Sequence, residues 1–284
     1  MELDKNKKIL IIGLGLIGGS YAKGLSAAGY TVGAIDTCRD SIDYALEYGY
    51  IKSGSTETEK EYVGEFDILI FALYPHIFIE WVEKYQSFIK SGALLTDVTG
   101  VKCSIVDKIQ LLLRPDLEFI GAHPMAGREV SGVRNATDAI FKNANYIVTP
   151  SARNTASAIE TAEALARVLG FGKLSRLSPE KHDEMIGFLS QLTHCIAVAL
   201  MTCKESKHLA EYTGDSFRDL TRIAKINEDM WSELFFLNRD ELISQMELFL
   251  NKFTYIKDCL VNGDEESLKA TMRLSTENRK YFDK

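Results

Sequence analysis

KILIIGLGLIGGS, residues 8–20, passes from an apolar β-rich run into glycines and then into a helical pattern. The glycines Gly13, Gly15 and Gly18 stand in the order G-x-G-x-x-G. In a strand–turn–helix context each glycine serves a separate purpose. Gly13 permits the tight turn, Gly15 lets the backbone approach a pyrophosphate, and Gly18 lets helix pack closely on strand. Leu16 and Ile17 open the helix, where free N–H groups and the positive dipole end favour phosphate. The competing reading is glycine-rich packing with no cofactor. Asp36 ends the next apolar run, where a carboxylate accepts bonds from a ribose diol and repels a 2′-phosphate. The expected cofactor is therefore NAD rather than NADP, although Arg39 lies close enough in sequence to serve a phosphate.

Outward from this turn the first half of the chain alternates. Apolar runs at 8–12, 31–36, 66–73, 93–98, 117–122 and 145–149 are near-continuous, as parallel strands buried on both faces should be. Helical patterns at 41–48, 76–90 and 102–112 lie between them, and an amphipathic helix within 152–170 stops at Gly170. This β-α-β rhythm predicts an α/β, Rossmann-type doubly wound, mostly parallel sheet. A short extended piece, KLSRLS, follows, and from Pro179 strand signals vanish. The expected division is a dinucleotide-binding domain at 1–177 and an all-α substrate and dimerisation domain at 178–284. In the latter, Leu242, Met246, Phe249, Phe253, Ile256 and Leu260 form a seam of near-heptad period. It reads either as an internal bundle helix or as a helix in a dimer interface.

Composition narrows the function classes. With 46% hydrophobic and 26% charged residues and a net charge of −7, the chain is an ordinary globular protein, and no basic block invites nucleic acid. Five cysteines show no CxxC pair, which points to reduced thiols, a cytoplasmic setting and no zinc cluster. The apolar stretch IGFLSQLTHCIAVALM carries Ser190, Gln191, Thr193 and His194 and is expected to be an internal helix rather than a membrane span.

The run 117–122 ends in His123, followed by Pro124 and then Gly127. Ligands of open α/β sheets bind outside the carboxyl ends of strands, and proline biases the residue before it to an extended conformation. His123 is thus either a hydrogen-bonded loop residue or an imidazole turned towards the nicotinamide.

Four strings in order, GLGLIGGS, HPMAGREVSG, SPEKHDEMIGFLSQLTH and FRDLTRIA, resemble the prephenate/arogenate dehydrogenase family of tyrosine biosynthesis. The resemblance implies NAD-dependent oxidative decarboxylation of prephenate to 4-hydroxyphenylpyruvate without a metal. It implies His123 as the catalytic base and Arg222 as the clamp on the substrate's ring carboxylate. It also puts His194 in the substrate pocket, Glu129 and Asp219 at polar positions around it, and Trp231 as a wall. His182 and Asp183 are read as structural. A histidine with an ordinary pKa of about 6.5 suits base duty near neutrality, and a guanidinium suits a carboxylate by bidentate pairing.

The sequence departs from the family pattern Asp-x-Gly-Ser-Val-Lys, reading Asp97-Val98-Thr99-Gly100-Val101-Lys102. The serine that bonds the family's histidine is Gly100 here, Thr99 is the nearest replacement hydroxyl, and the partner of His123 is left open. Three other readings stand beside the main one: an arogenate dehydrogenase, a non-catalytic NAD-binding regulatory protein that Gly100 favours, and another two-domain reductase of hydroxyacids or imines, which would not need the late Arg222 motif. The expected partners are a small-molecule substrate and a second copy of the chain, with no nucleic acid and no membrane.

Overall fold

A computed structural model describes residues 3–205 and 207–283. Eight strands form one sheet: β1 (Lys8–Ile12), β2 (Thr31–Ile35), β3 (Ser53–Ser55), β4 (Ile68–Phe71), β5 (Leu94–Asp97), β6 (Glu118–Met125), β7 (Asn145–Thr149) and β8 (Lys173–Arg176). Helices α1 (Leu16–Ala27), α2 (Arg39–Glu47), α3 (Lys60–Val63), α4 (Pro75–Tyr85), α5 (Cys103–Leu112) and α6 (Ala156–Val168) alternate with them. Then come α7 (Pro179–Ile186), α8 (Thr193–Thr202), α9 (Asp215–Thr221), α10 (Glu228–Leu237), α11 (Arg239–Asn262) and α12 (Glu265–Arg279).

The spatial order is β3-β2-β1-β4-β5-β6-β7-β8. All neighbours run parallel except β6 and β7. Successive side chains of a strand point to opposite faces. In β1, Ile9 and Ile11 accordingly enter one apolar core and Leu10 and Ile12 the other. That double burial explains why the strand carries no polar alternation.

The expected elements are found with three differences. β3 is an additional edge strand of sequence SGS; with no apolar run it gives no strand signal, and a Cβ at its Gly54 would press on Ile42 and Ile51. The expected helix 76–90 ends at Tyr85 and tightens into a 3-10 turn. The strand carrying His123 does not stop at residue 122. β6 pairs with β5 only through Ile120, then runs antiparallel to β7 from Gly121 to Met125. His123 therefore sits inside a strand, on a stretch with a partner on one side only. Such an edge position tolerates Pro124, which has no N–H to donate.

The chain divides into two compact units, one ending at Asn238 and the other beginning at Arg239. Within the first, α7 and α8 are joined by a π-helical stretch, Gly187–Leu192, into one rod. This rod, Pro179–Thr202, is long and apolar enough to cross a membrane by length and composition. It also buries His182, Asp183 and Gln191. In the second unit, α11 and α12 leave most of their apolar side chains exposed, among them Leu248, Phe253, Leu260 and Met272.

Candidate active site

The glycine turn has the geometry that pyrophosphate approach requires. Gly13 takes a left-handed φ of +96°, and its added Cβ would lie 2.5 Å from the Ala72 carbonyl oxygen. A Cβ on Gly18 would lie 1.9 Å from the Gly13 oxygen, so only glycine serves at either position. Gly15 is followed by the start of α1, with nothing within 4 Å of an added Cβ and no side-chain cap on the helix. The first N–H groups of α1 are thereby left for an anion. Asp36 lies just past β2 and accepts from the backbone N–H of Leu14 (2.6 Å) and Cys38 (2.8 Å). These residues fit a dinucleotide whose ribose diol meets the Asp36 carboxylate.

Beyond β5 the turn 97–102 builds a buried ion pair. Lys102 Nζ lies 2.6 Å from Asp97 Oδ2, and both side chains are wholly buried. The Thr99 hydroxyl donates to Asp97, and Lys102 Nζ also donates to Thr99 Oγ1. Asp97 Oδ1 in turn accepts from the Ala122 N–H at 3.0 Å, which fixes β6 one residue before His123. The Thr99 hydroxyl is thus spent on this network. Gly100 leaves a bare backbone whose added Cβ would lie 4.0 Å from His123 Cε1 and 3.5 Å from Leu234.

The partner of His123 comes from α7. Its Nδ1 lies 2.9 Å from His182 Nε2, and His182 Nδ1 lies 2.7 Å from Asp183 Oδ1. Asp183 also accepts from the backbone N–H groups of Lys102 and Cys103, each at 2.8 Å. Burial first, then His182 and Lys102, hold the His123 pKa well below the ordinary histidine value. His182 is likewise lowered, by burial, against an opposing pull from Asp183.

A second group gathers on α10 and its neighbours. The rings of His194 and Trp231 stack at 3.7 Å with 30° between planes, and His194 Nδ1 donates to the Ser190 carbonyl at 2.8 Å. Arg222 is hydrogen-bonded to Glu129. Both charges act on the His194 ring, which burial holds below its ordinary pKa. Trp231 and Leu234 are one turn apart on α10. Leu234 packs beside Gly100, so this one helix face links the His194–Arg222 group to His123. Glu233 ties the helix to the carboxyl end of the sheet, accepting from the His76 N–H at 2.7 Å. Asp219 is exposed on α9 and joins none of these contacts among the described residues.

Residues 21–171 match the family described as prephenate dehydrogenase, nucleotide-binding domain, and residues 178–274 match its dimerization domain. The chain belongs to the prephenate dehydrogenase family. A prephenate dehydrogenase of Lactococcus lactis subsp. cremoris is 32% identical over 98% of this chain and 75% of its own. That of Bacillus subtilis is 29% identical over 92% of this chain and 72% of its own. The crystal structure of the Aquifex aeolicus prephenate dehydrogenase in complex with hydroxyphenyl propionate and NAD+ superposes with a TM-score of 0.88. That pair is 28% identical and covers 98% of each chain. Within the prephenate dehydrogenase frame the glycine turn precedes the first matched residue, Tyr21, and its assignment rests on its own geometry.

Two residues read as structural from the sequence, His182 and Asp183, prove to be in direct line with His123. The adjacency KHD was the one signal for them, but nothing in a string shows that it reaches a strand 59 residues earlier.

Proposed function

We propose that this dehydrogenase oxidises prephenate with NAD+ to 4-hydroxyphenylpyruvate and CO2, using His123 as the base. The observation carrying the reading is a strand-held imidazole whose Nδ1 is bonded to His182, in one chain with a glycine turn built for a dinucleotide. NAD+, when bound, supplies the hydride acceptor. His123 Nε2 makes no hydrogen bond among the described residues and takes the ring hydroxyl proton as hydride leaves the carbinol carbon. The carboxylate-bearing ring carbon then loses CO2, its bonding pair enters the ring, and the proton returns to the phenolic oxygen. Arg222, once Glu129 yields it, pairs with the ring carboxylate. His194 and Trp231 border the substrate, with Thr99 acting only through the Asp97–Lys102 pair and Asp219 at the rim. Gly13, Gly15, Leu16, Ile17 and Gly18 hold the pyrophosphate, and Asp36 selects NAD over NADP.

The reading includes a division at residue 177, a homodimer through the C-terminal helices and a cytoplasmic setting. Scattered, unpaired cysteines support the last. The rod Pro179–Thr202 is read as an internal helix because its buried Gln191 and Asp183 are hydrogen-bonded within the protein.

The test is NADH formation followed by absorbance with prephenate and, separately, arogenate. Turnover with prephenate at the higher kcat/KM supports the proposal; preference for arogenate selects the sister activity. His123→Asn should lower kcat by about 10²–10⁴-fold while NAD+ binding persists, and Arg222→Gln should chiefly raise the KM for substrate.

A further inference from the structure

Base duty requires more of His123 than neutrality. A neutral imidazole carries one proton on one of two nitrogens, and only the other accepts. What surrounds the ring decides which.

Asp183 is the fixed point. Burial pushes its carboxyl pKa up, but hydrogen bonds from His182 and the Cys103 N–H overcome this and hold it below the ordinary value. The two backbone donors belong to Lys102 and Cys103, where α5 begins without any side-chain cap; a carboxylate there also meets the positive end of the helix dipole. An ionised carboxylate only accepts, so the His182 nitrogen facing it, Nδ1, carries the proton. The His182 ring is buried and neutral, which leaves its Nε2 bare. That bare nitrogen lies 2.9 Å from His123 Nδ1 and must accept there. His123 therefore holds its proton on Nδ1, with Nε2 open.

We propose that Asp183 and His182 are positioning residues that set the tautomer of His123 and so make its Nε2 the proton-accepting nitrogen. This rests on His123 being the base. The charged groups that act on the histidine pair are Asp183 on α7 and the Lys102–Asp97 pair in the β5–α5 turn; on α10, Leu234 packs beside the neighbouring Gly100. The chain of bonds also answers the missing serine, because His123 Nδ1 already has an acceptor.

The experiment compares full-length Asp183→Asn, His182→Gln and His182→Leu with wild type. An asparagine has one oxygen for the three donors His182, Lys102 and Cys103; with its NH2 towards His182 it reverses both tautomers and leaves His123 with Nε2–H. For Asp183→Asn we expect kcat to fall on the order of 10²–10⁴-fold, with KM for NAD+ and prephenate unchanged. His182→Gln keeps an oxygen that accepts from His123 Nδ1, and its kcat should clearly exceed that of His182→Leu, which cannot accept. Nitrogen-15 shifts of labelled enzyme, with His123 assigned by its loss in His123→Asn, should show Nε2 unprotonated in wild type. If Asp183→Asn does not fold, the His182 pair and the wild-type spectrum decide alone. The proposal is overturned by wild-type kcat in Asp183→Asn, by equal kcat in the two His182 variants, or by a bare Nδ1 in His123. Activity surviving in His123→Asn would instead remove the base itself, a result distinct from an inactive His123→Asn beside active His182 variants.

Discussion

His123 accepts a proton only while neutral, and its surroundings extend that state to acid. Its pKa lies well below the ordinary value, so the neutral form persists as pH falls past about 6.5. The acid limb of kcat/KM, which reports the free enzyme, should therefore have an apparent pKa below about 6.5, measured by steady-state rates across pH. The same shift bears on stability. A group with a depressed folded pKa contributes stability that is present above its unfolded pKa and lost as pH falls through the folded one. His123 and His182, both lowered, should make denaturant resistance decline once pH drops under about 6.5. Gly100 supplies a separate test. An added Cβ meets ordinary contacts with Leu234 and His123, and His123 Nδ1 is already bonded to His182. Gly100→Ser should fold normally and change kcat by less than tenfold, whereas Gly100→Leu should push into Leu234 and His123 and suppress turnover. The residue identities were legible in the string His-Pro-Met-Ala-Gly; the hydrogen-bond order was not, because it depends on two side chains brought from α7.

At the scale of elements, the turn 97–102 fixes the backbone beside His123. It buries a salt bridge, and that bridge holds the Ala122 N–H and hence the start of the stretch of β6 that pairs with β7 alone. Removing one partner of a buried pair costs about 3–5 kcal/mol because the other charge is stranded. Lys102→Met should lower the unfolding free energy by that order in urea titration, and adding Asp97→Asn should restore part of the loss. Sequence periodicity marked the buried strands well because continuous apolar runs suit strands covered on both faces. It was silent on β3, whose SGS carries no apolar residue, and on the π-helical stretch Gly187–Leu192, which reads as uninterrupted helix. That stretch is where Gln191 turns inward, donating to the Leu234 carbonyl at 3.0 Å and accepting from Asn238 at 2.8 Å. The strand bearing His123 outlasts its apolar run, 117–122, because the antiparallel partner β7 carries it on to Met125.

At the scale of the whole molecule, the seam read from the sequence is only partly covered: Leu242 is buried, Phe249 and Ile256 are half-buried, and Met246, Phe253 and Leu260 are exposed. Along α11 only Leu242 and Cys259 are buried, while Phe253 and Leu260 are 61% and 66% exposed. Contiguous exposed apolar side chains of this kind mark interaction surfaces in soluble proteins, and the region lies within the match to a dimerization domain. A bundle helix closed within its own chain would have hidden these residues, so the intermolecular alternative is the better supported of the two sequence readings. Burying a leucine or phenylalanine contributes about 1.5–3 kcal/mol, and every 1.4 kcal/mol is about tenfold in a dissociation constant. Phe253→Lys removes such a contribution and adds an unpaired charge to the contact. Light scattering coupled to size exclusion should show wild type as a dimer at micromolar concentration. The variant should dissociate at concentrations at least about tenfold higher than wild type does, with helical content by circular dichroism unchanged. A wild-type chain that runs as a monomer would assign the exposed seam to some other occupant.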